Sequence, residues 1–289
     1  MPALLALVAV TAVWGLTFVQ VKDAVALYPL FAFLALRFAI ATGTLTPLAG
    51  ARLRTLGRRG LRAGAVLGVL LALGYALQTA GLQRTTVSAA GFVTGLYVVL
   101  TPVFALLLFR VRAGRAAWAG VAVATVGLAL LSGIETGSAL GDLLVLGGAA
   151  AFALQIVLME RWAPRFDVLA LTLAEMATCF VAFLAIALAV GDLAVPTGWT
   201  VLSALVVTGV FASALAFLVQ TWAQRRTSAT RVAVIFAMEP VFAALFGVTL
   251  AGDRLGPAGW AGCVVIMGGI ALAEPAAADA LTRLVRRRG

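Results

Sequence analysis

Histidine is absent from the 289 residues, and three other types are scarce: two Cys, one Lys and eleven Asp or Glu. Each gap removes a chemistry. Without His, and with Cys179 and Cys263 far apart in sequence, neither a zinc-type ligand spacing nor a disulfide framework can be drawn. The acids form no metal-binding cluster. No G-x-x-x-x-G-K-[ST] loop is present, so the chain encodes no ATP-driven pump. The sequence therefore predicts no metal, no cofactor and no enzyme. It also lacks any extended polar stretch that would make a separate soluble domain.

What remains is apolar. Hydrophobic residues make up 63% of the chain and mean hydropathy is +1.11, far above a soluble domain. A span of about 20 apolar residues crosses a bilayer, and charge clusters and turn residues divide the chain into ten such runs. They are 3–21, 29–49, 62–82, 86–109, 115–133, 142–160, 168–190, 199–222, 230–250 and 257–274. The first has no basic flank and no clear cleavage site, so it reads as a retained helix rather than a signal peptide.

The net charge of +10 raises the question of nucleic acid, but arginines at the cytoplasmic ends of membrane helices explain it better. With the N-terminus inside, seventeen basic residues fall on inner loops and the tail, three (Lys22, Arg84 and Arg254) on outer loops, and Arg37 within a span. That bias predicts both termini in the cytoplasm and an even number of helices.

The chain also repeats itself. Ala76–Thr86, ALQTAGLQRTT, returns as Leu218–Ser228, LVQTWAQRRTS, with Gln78-Thr79 and Gln220-Thr221 142 residues apart. Pro102-Val103-Phe104 returns as Pro240-Val241-Phe242, and Trp118-Ala119-Gly120 with Gly127 as Trp260-Ala261-Gly262 with Gly269. Each half holds five spans. Five is odd, so the second half enters the membrane upside down, and the two Gln-Thr copies lie toward opposite sides. The predicted fold is an all-α membrane protein of ten transmembrane helices in two inverted five-helix repeats, 1–136 and 137–278, followed by a basic tail, 279–289. Inverted repeats of this kind belong to secondary transporters, in which two similar halves exchange conformations around a central site.

Several motifs, taken in order, are similar to one family. Trp14-Gly15-Leu16-Thr17-Phe18 with Lys22, Pro29 followed by Leu36-Arg37-Phe38, Pro102, Glu239-Pro240-Val241-Phe242 and the glycine-rich fifth helix of each half resemble EamA domains. The whole chain resembles a ten-helix member of the drug/metabolite transporter superfamily. The resemblance implies an exporter in the bacterial inner membrane whose substrate is an amino acid, another metabolite or a drug. In that family an acid often follows the fourth helix of a half; here Asp253 stands in that place in the second half and the first half has none.

Three formal charges fall within spans: Arg37, Glu175 and Glu239. An ionisable group there costs roughly 2.5–3.5 kcal/mol on insertion scales, so it is rarely idle. Glu239 lies nine residues into its span, about 13 Å from the inner edge, near the midplane. Arg37 and Glu175 are repeat mates 138 residues apart. Glu239, then Glu175, are the proton-coupling candidates. Arg37 is read either as the partner of a substrate carboxylate or as the partner of one glutamate, and it cannot neutralise both acids. Pro102 and Pro240 each free a helical carbonyl, at Val98 and Phe236, and are candidates for kinks that gate.

Polar and aromatic faces complete the expected cavity. Tyr75, Gln78 and Thr79 share one helix face, as do Phe217, Gln220 and Thr221, and Thr94, Tyr97 and Thr101 form a stripe. Trp14, Gln155 and Trp222 join them as candidate substrate-binding residues, alongside the competing reading that such polar groups only bond helix to helix. Gly64-x-x-x-Gly68 and Gly91-x-x-x-Gly95 predict close helix contacts. The expected partners are the lipid bilayer, a small-molecule substrate and protons, with no nucleic acid and with a monomer favoured. A lipophilic-cation or multidrug exporter and a passive facilitator or channel are the alternatives.

Overall fold

Apolar runs that end at arginine clusters, prolines and glycines fold as helices bounded by those same residues. The computed structural model describes residues 2–132, 138–246, 248–249 and 254–273. The helices are α1 (Pro2–Leu27), α2 (Leu30–Ala49), α3 (Gly57–Leu82), α4 (Val87–Gly95), α5 (Tyr97–Phe109), α6 (Arg115–Ser132), α7 (Ala139–Trp162) and α8 (Val168–Val190). There follow α9 (Trp199–Val206), α10 (Ala216–Gln224), α11 (Ala229–Phe236), α12 (Glu239–Phe246) and α13 (Pro257–Ala273). No strand occurs among the described residues.

These pieces combine into ten apolar segments, counting only the described residues. A 3₁₀ turn, Gly50–Leu56, joins α2 to α3 within one helical stretch, and a π-helical segment, Val207–Leu215, makes α9 and α10 one continuous span. Two spans are broken instead, the fourth at Leu96 between α4 and α5, the ninth at Ala237-Met238 between α11 and α12. At both breaks the backbone changes to i→i−3 bonds: Leu96 N–H to Val93 C=O at 3.2 Å, and Met238 N–H to Ile235 C=O at 3.0 Å. The first span also runs longer than its apolar core, through Lys22 and Asp23, because nothing stops a helix there before Pro29.

The packing has the symmetry of the sequence. α6 lies against α13 and α2 against α8, each helix against its own repeat mate. α3 packs on α7 as α10 packs on α1, and α5 lies on α7 as α12 lies on α1. Exchanging the halves maps each of these contacts onto another, as a two-fold axis in the membrane plane requires.

Glycine allows the axial contact. An added Cβ on Gly120 would stand 2.6 Å from the Gly269 carbonyl, and one on Gly269 would stand 2.8 Å from the Gly120 carbonyl. Gly127 and Gly262 oppose each other in the same way, at 2.9 and 2.7 Å. The crossed order, 120 with 269 and 127 with 262, makes α6 and α13 antiparallel. Gly64 and Gly68 seat α3 on Ala174 and Thr178 of α8. The Gly91-x-x-x-Gly95 expectation is half corrected: Gly95 meets Leu128, but Gly91, one turn earlier on the same face, lies where no atom of a neighbour comes within 4 Å.

The repeated motif is partly turn hardware. Arg84 donates to the Ala80 carbonyl at 2.7 Å at the end of α3, and its mate Arg226 donates to the Trp222 carbonyl at 3.1 Å at the end of α10. Each arginine meets the orphan carbonyls and negative dipole end of its helix. Thr86 then caps α4, accepting from Ala89 N–H at 3.1 Å, and Ser228 caps α11, accepting from Arg231 N–H at 3.4 Å.

Candidate central cavity

The two broken spans bring a new pair of residues into register. From the N-cap, Pro102 is sixteen residues on and Pro240 twelve, a difference of four, or about one turn. The breaks keep their distance from the caps, so Tyr97 and Glu239 occupy matching places, each the first residue of its second half-helix. The prolines sit beyond the breaks, Pro102 within α5 and Pro240 second in α12, and neither lines the cavity described next. Phe236, whose carbonyl Pro240 leaves without its helical donor, borders the break directly; Val98 lies two residues past the other.

Between the halves lies a cavity whose empty space, open solvent at its mouth included, is about 710 Å³. Its aromatic walls repeat the symmetry. Trp14 and Phe217 stand 5.6 Å apart, centroid to centroid, and their mates Phe152 and Tyr75 stand 5.2 Å apart. Tyr75 and Phe217 meet across the axis at 6.4 Å. Gln78 and Gln220, although near opposite ends of their spans, both reach the cavity.

Closure is not symmetric. Val21 of α1 and Leu82 of α3 line the cavity, whereas their mates Met159 and Gln224 are 0% and 1% exposed and do not. The cavity thus extends toward the C-terminal ends of α1 and α3 and is shut at the other side.

Each charged or polar residue proposed for the site has a definite place. Arg37, 3% exposed, lines the cavity; its Nε donates to Ser213 Oγ at 2.8 Å and its terminal nitrogen to Tyr75 Oη at 3.0 Å, with the guanidinium 4.4 Å from the Tyr75 ring centroid. Neither glutamate comes within 4.0 Å of it. Trp14 lines the cavity and donates from Nε1 to the Ala212 carbonyl at 2.8 Å. Ala212 and Ser213 both belong to the π-helical segment, a conformation that recurs at functional sites.

Glu239 lines the cavity and is 8% exposed. Tyr97 is in the same wall, near enough to interact with Glu239, and its buried hydroxyl has no partner of ordinary geometry. Gln78 donates to Thr94 Oγ1 at 3.0 Å. Gln155 and Gln220 are wall residues joined by a hydrogen bond of 3.0 Å.

Two candidates fall elsewhere. Glu175 is fully buried on α8 outside the cavity, where Gln155 donates to one of its oxygens at 2.7 Å. Trp222 stands outside as well, half-buried with the Arg226 guanidinium 4.8 Å over its ring, because α10 turns it away from the face that carries Gln220. Thr101 and Thr221 are buried in helix contacts rather than in the wall, Thr221 accepting from Thr172 at 3.0 Å. Asp253 and the arginines of the tail lie outside the described residues. The sequence does not single out Phe152 or Ser213, and it marks Phe236 only for its carbonyl; for Phe152 the signal exists, as the repeat mate of Trp14.

Gly15 ties this geometry to its motif. A Cβ there would stand 2.7 Å from Ala243 N and 2.8 Å from the Glu239 carbonyl oxygen. Gly15→Ala is expected to displace α12 and cut solute transport at least about tenfold, while the thermal unfolding midpoint falls by only a few degrees. Unchanged transport by this variant in reconstituted vesicles would mean that the close approach of α1 to α12 is only packing.

Comparison with known proteins agrees with this architecture. A solved crystal structure superposes with a TM-score of 0.78 at 22% identity, covering 96% of this chain and 98% of its own, a likeness of fold. An uncharacterized transporter of Archaeoglobus fulgidus is 32% identical over 263 residues, which is 91% of this chain and 82% of that protein. The EamA-like transporter family matches twice, at residues 1–133 and 139–273, one match to each half. The chain is a multi-pass membrane protein that belongs to the EamA-like transporter family.

Proposed function

We propose that the chain exports a small organic solute, an amino acid or related metabolite, by alternating access, with protons exchanged at Glu239. The observation that carries this is Glu239 itself: a carboxyl group 8% exposed, beside the Tyr97 hydroxyl, in the wall of a cavity of aromatic rings and amides between two inverted halves. A carboxylate so placed can serve a solute ammonium group and a proton by turns. Tyr97 and Gln220 add acceptors for N–H groups, Arg37 supplies the positive charge for a solute carboxylate, and Trp14, Tyr75 and Phe217 face an apolar side chain.

A lipophilic cation is the second reading. It is favoured by Arg37, which already donates to Ser213 and Tyr75 and so has less to offer an anion. The arginine distribution, seventeen inner against three outer, supports both termini in the cytoplasm of a bacterial inner membrane. In that orientation the cavity opens outward. Each half, 1–136 and 137–278, acts as one moving unit, and a single chain suffices, since the cavity lies between its own halves.

The test is uptake by proteoliposomes of the full chain, screened with amino acids and lipophilic cations, with and without a pH gradient. Saturable uptake that the gradient drives is expected. Non-saturating flux that ignores the gradient would make the chain a facilitator or channel instead.

A further inference from the structure

Among the described residues Glu175 is the one deeply buried acid that does not line the cavity, and it ends a chain of side-chain amides. Gln155 Nε2 donates to Glu175 Oε1 at 2.7 Å. Gln220 Nε2 donates to Gln155 Oε1 at 3.0 Å and to Gln224 Oε1 at 2.9 Å. Gln224 Nε2 in turn donates to the backbone carbonyl of Ile156 at 2.8 Å. All four side chains are buried.

The orientation of these amides follows from the ends of the chain. A backbone carbonyl can only accept, and the Glu175 oxygen that faces Gln155 accepts as well. Gln224 must therefore point its NH₂ group at Ile156 and its carbonyl at Gln220. Gln155 must point its NH₂ group at Glu175 and its carbonyl at Gln220. Two acceptors converge on Gln220, so its NH₂ group gives both hydrogens to them. Its own carbonyl oxygen is left over, buried and without a partner. Gln220 is a wall residue of the cavity. An orphan acceptor in a binding wall is costly unless a ligand donor fills it.

From this we infer that Glu175 is a positioning residue for solute selectivity: by accepting from Gln155 it fixes Gln220 as a hydrogen-bond acceptor for a solute N–H group. Glu175 touches no solute and need not exchange a proton. The inference rests on the cavity being the solute site, and it separates the two glutamates, Glu239 interacting with solute charge and Glu175 setting which atom of Gln220 is offered. What Glu175 must supply is an acceptor, not a charge.

The experiment compares phenethylamine, which carries N–H donors, with phenethyltrimethylammonium, which carries the same charge and none. Binding of each to the purified full chain is measured by titration calorimetry. The unaltered chain should prefer the primary amine by about tenfold or more, the scale of one hydrogen bond to a charged donor. Glu175→Gln should keep that preference, because the amide oxygen still accepts from Gln155 and the Ile156 carbonyl still orders the other end. Glu175→Leu and Gln220→Leu should bring the ratio close to one. Should Glu175→Leu not yield folded chain, Gln155→Met breaks the same series one link nearer the cavity and is read the same way. A preference that survives Glu175→Leu or Gln155→Met overturns the inference. So does its loss in Glu175→Gln, which would make the charge the operative feature. Equal affinity, or no affinity, of the unaltered chain for the two amines overturns it as well. Gradient-driven uptake without the preference would leave the transport reading standing and this inference fallen; the preference without such uptake would do the reverse.

Discussion

Gly262→Ala is expected to destabilise the chain by about 3 kcal/mol or more, at the top of the range for overpacked sites. The added methyl would stand 2.5 Å from the Leu131 backbone nitrogen and 2.7 Å from the Gly127 carbonyl oxygen. Both obstacles are backbone, so no side chain can swing aside and the helices themselves must separate. Gly127→Ala, on the opposite wall of the same contact, meets Ile266 N at 2.7 Å and the Gly262 carbonyl at 2.9 Å and should cost as much. Because both changes force the same separation of α6 from α13, the double variant should lose less than the sum. Gly268→Ala supplies the control. Nothing lies within 4 Å of its added Cβ, and alanine is the better helix former by up to about 1 kcal/mol. Thermal unfolding of the detergent-solubilised chain, followed by its own tryptophans, checks all four. Equal midpoints for Gly262→Ala and Gly268→Ala would dissolve the argument that the seam is set by glycine.

That seam was legible in the sequence because it depends on periodicity and on the duplication. Gly120 and Gly127, repeated as Gly262 and Gly269, mark the fifth helix of each half for close packing, and the fold sets the two against one another. Gln78 and Gln220 are marked by the polar helix faces they share with their neighbours, Trp14 by its aromatic ring and Glu239 by its charge within a span, and all four lie in one wall. Other features had no such signal. The π-helical segment arises inside an apolar run, and nothing in VTGVFASAL marks it, yet it delivers both Ala212 and Ser213 to the site. Pro102 and Pro240 are candidates for kinks, but the breaks keep register with Thr86 and Ser228, and this is what matches Tyr97 to Glu239. Trp222 was grouped with the cavity by its aromatic character alone; two residues along a helix turn a side chain to nearly the opposite face. The partner of Glu175 was likewise out of reach, since the sequence offered Arg37 as its opposite charge and the fold gave it the amide of Gln155.

Glu239→Gln should abolish gradient-driven accumulation of solute, lowering it about 100-fold to the level of protein-free vesicles, while solute binding weakens far less. The size and shape of the side chain are kept, so Trp14, Tyr97 and Phe236 retain their places around it. What is lost is the ability to alternate between a charged and a proton-bearing form. A carboxylate held in the membrane interior at roughly 2.5–3.5 kcal/mol is retained at a standing cost, and only its charge can offset that cost. In the proposed cycle the acid either holds solute or takes a proton, and each excludes the other; an amide does neither with comparable strength. Exchange of labelled for unlabelled solute, which needs no net proton movement, should persist in the variant at a reduced rate, and Glu239→Asp should recover part of the accumulation. The variant is prepared beside Glu175→Gln, which the amide chain predicts to accumulate solute normally. Accumulation that survives Glu239→Gln and fails in Glu175→Gln would exchange the roles assigned to the two acids. Survival in both would remove side-chain carboxylates from the coupling and leave a carrier that moves solute down its own gradient.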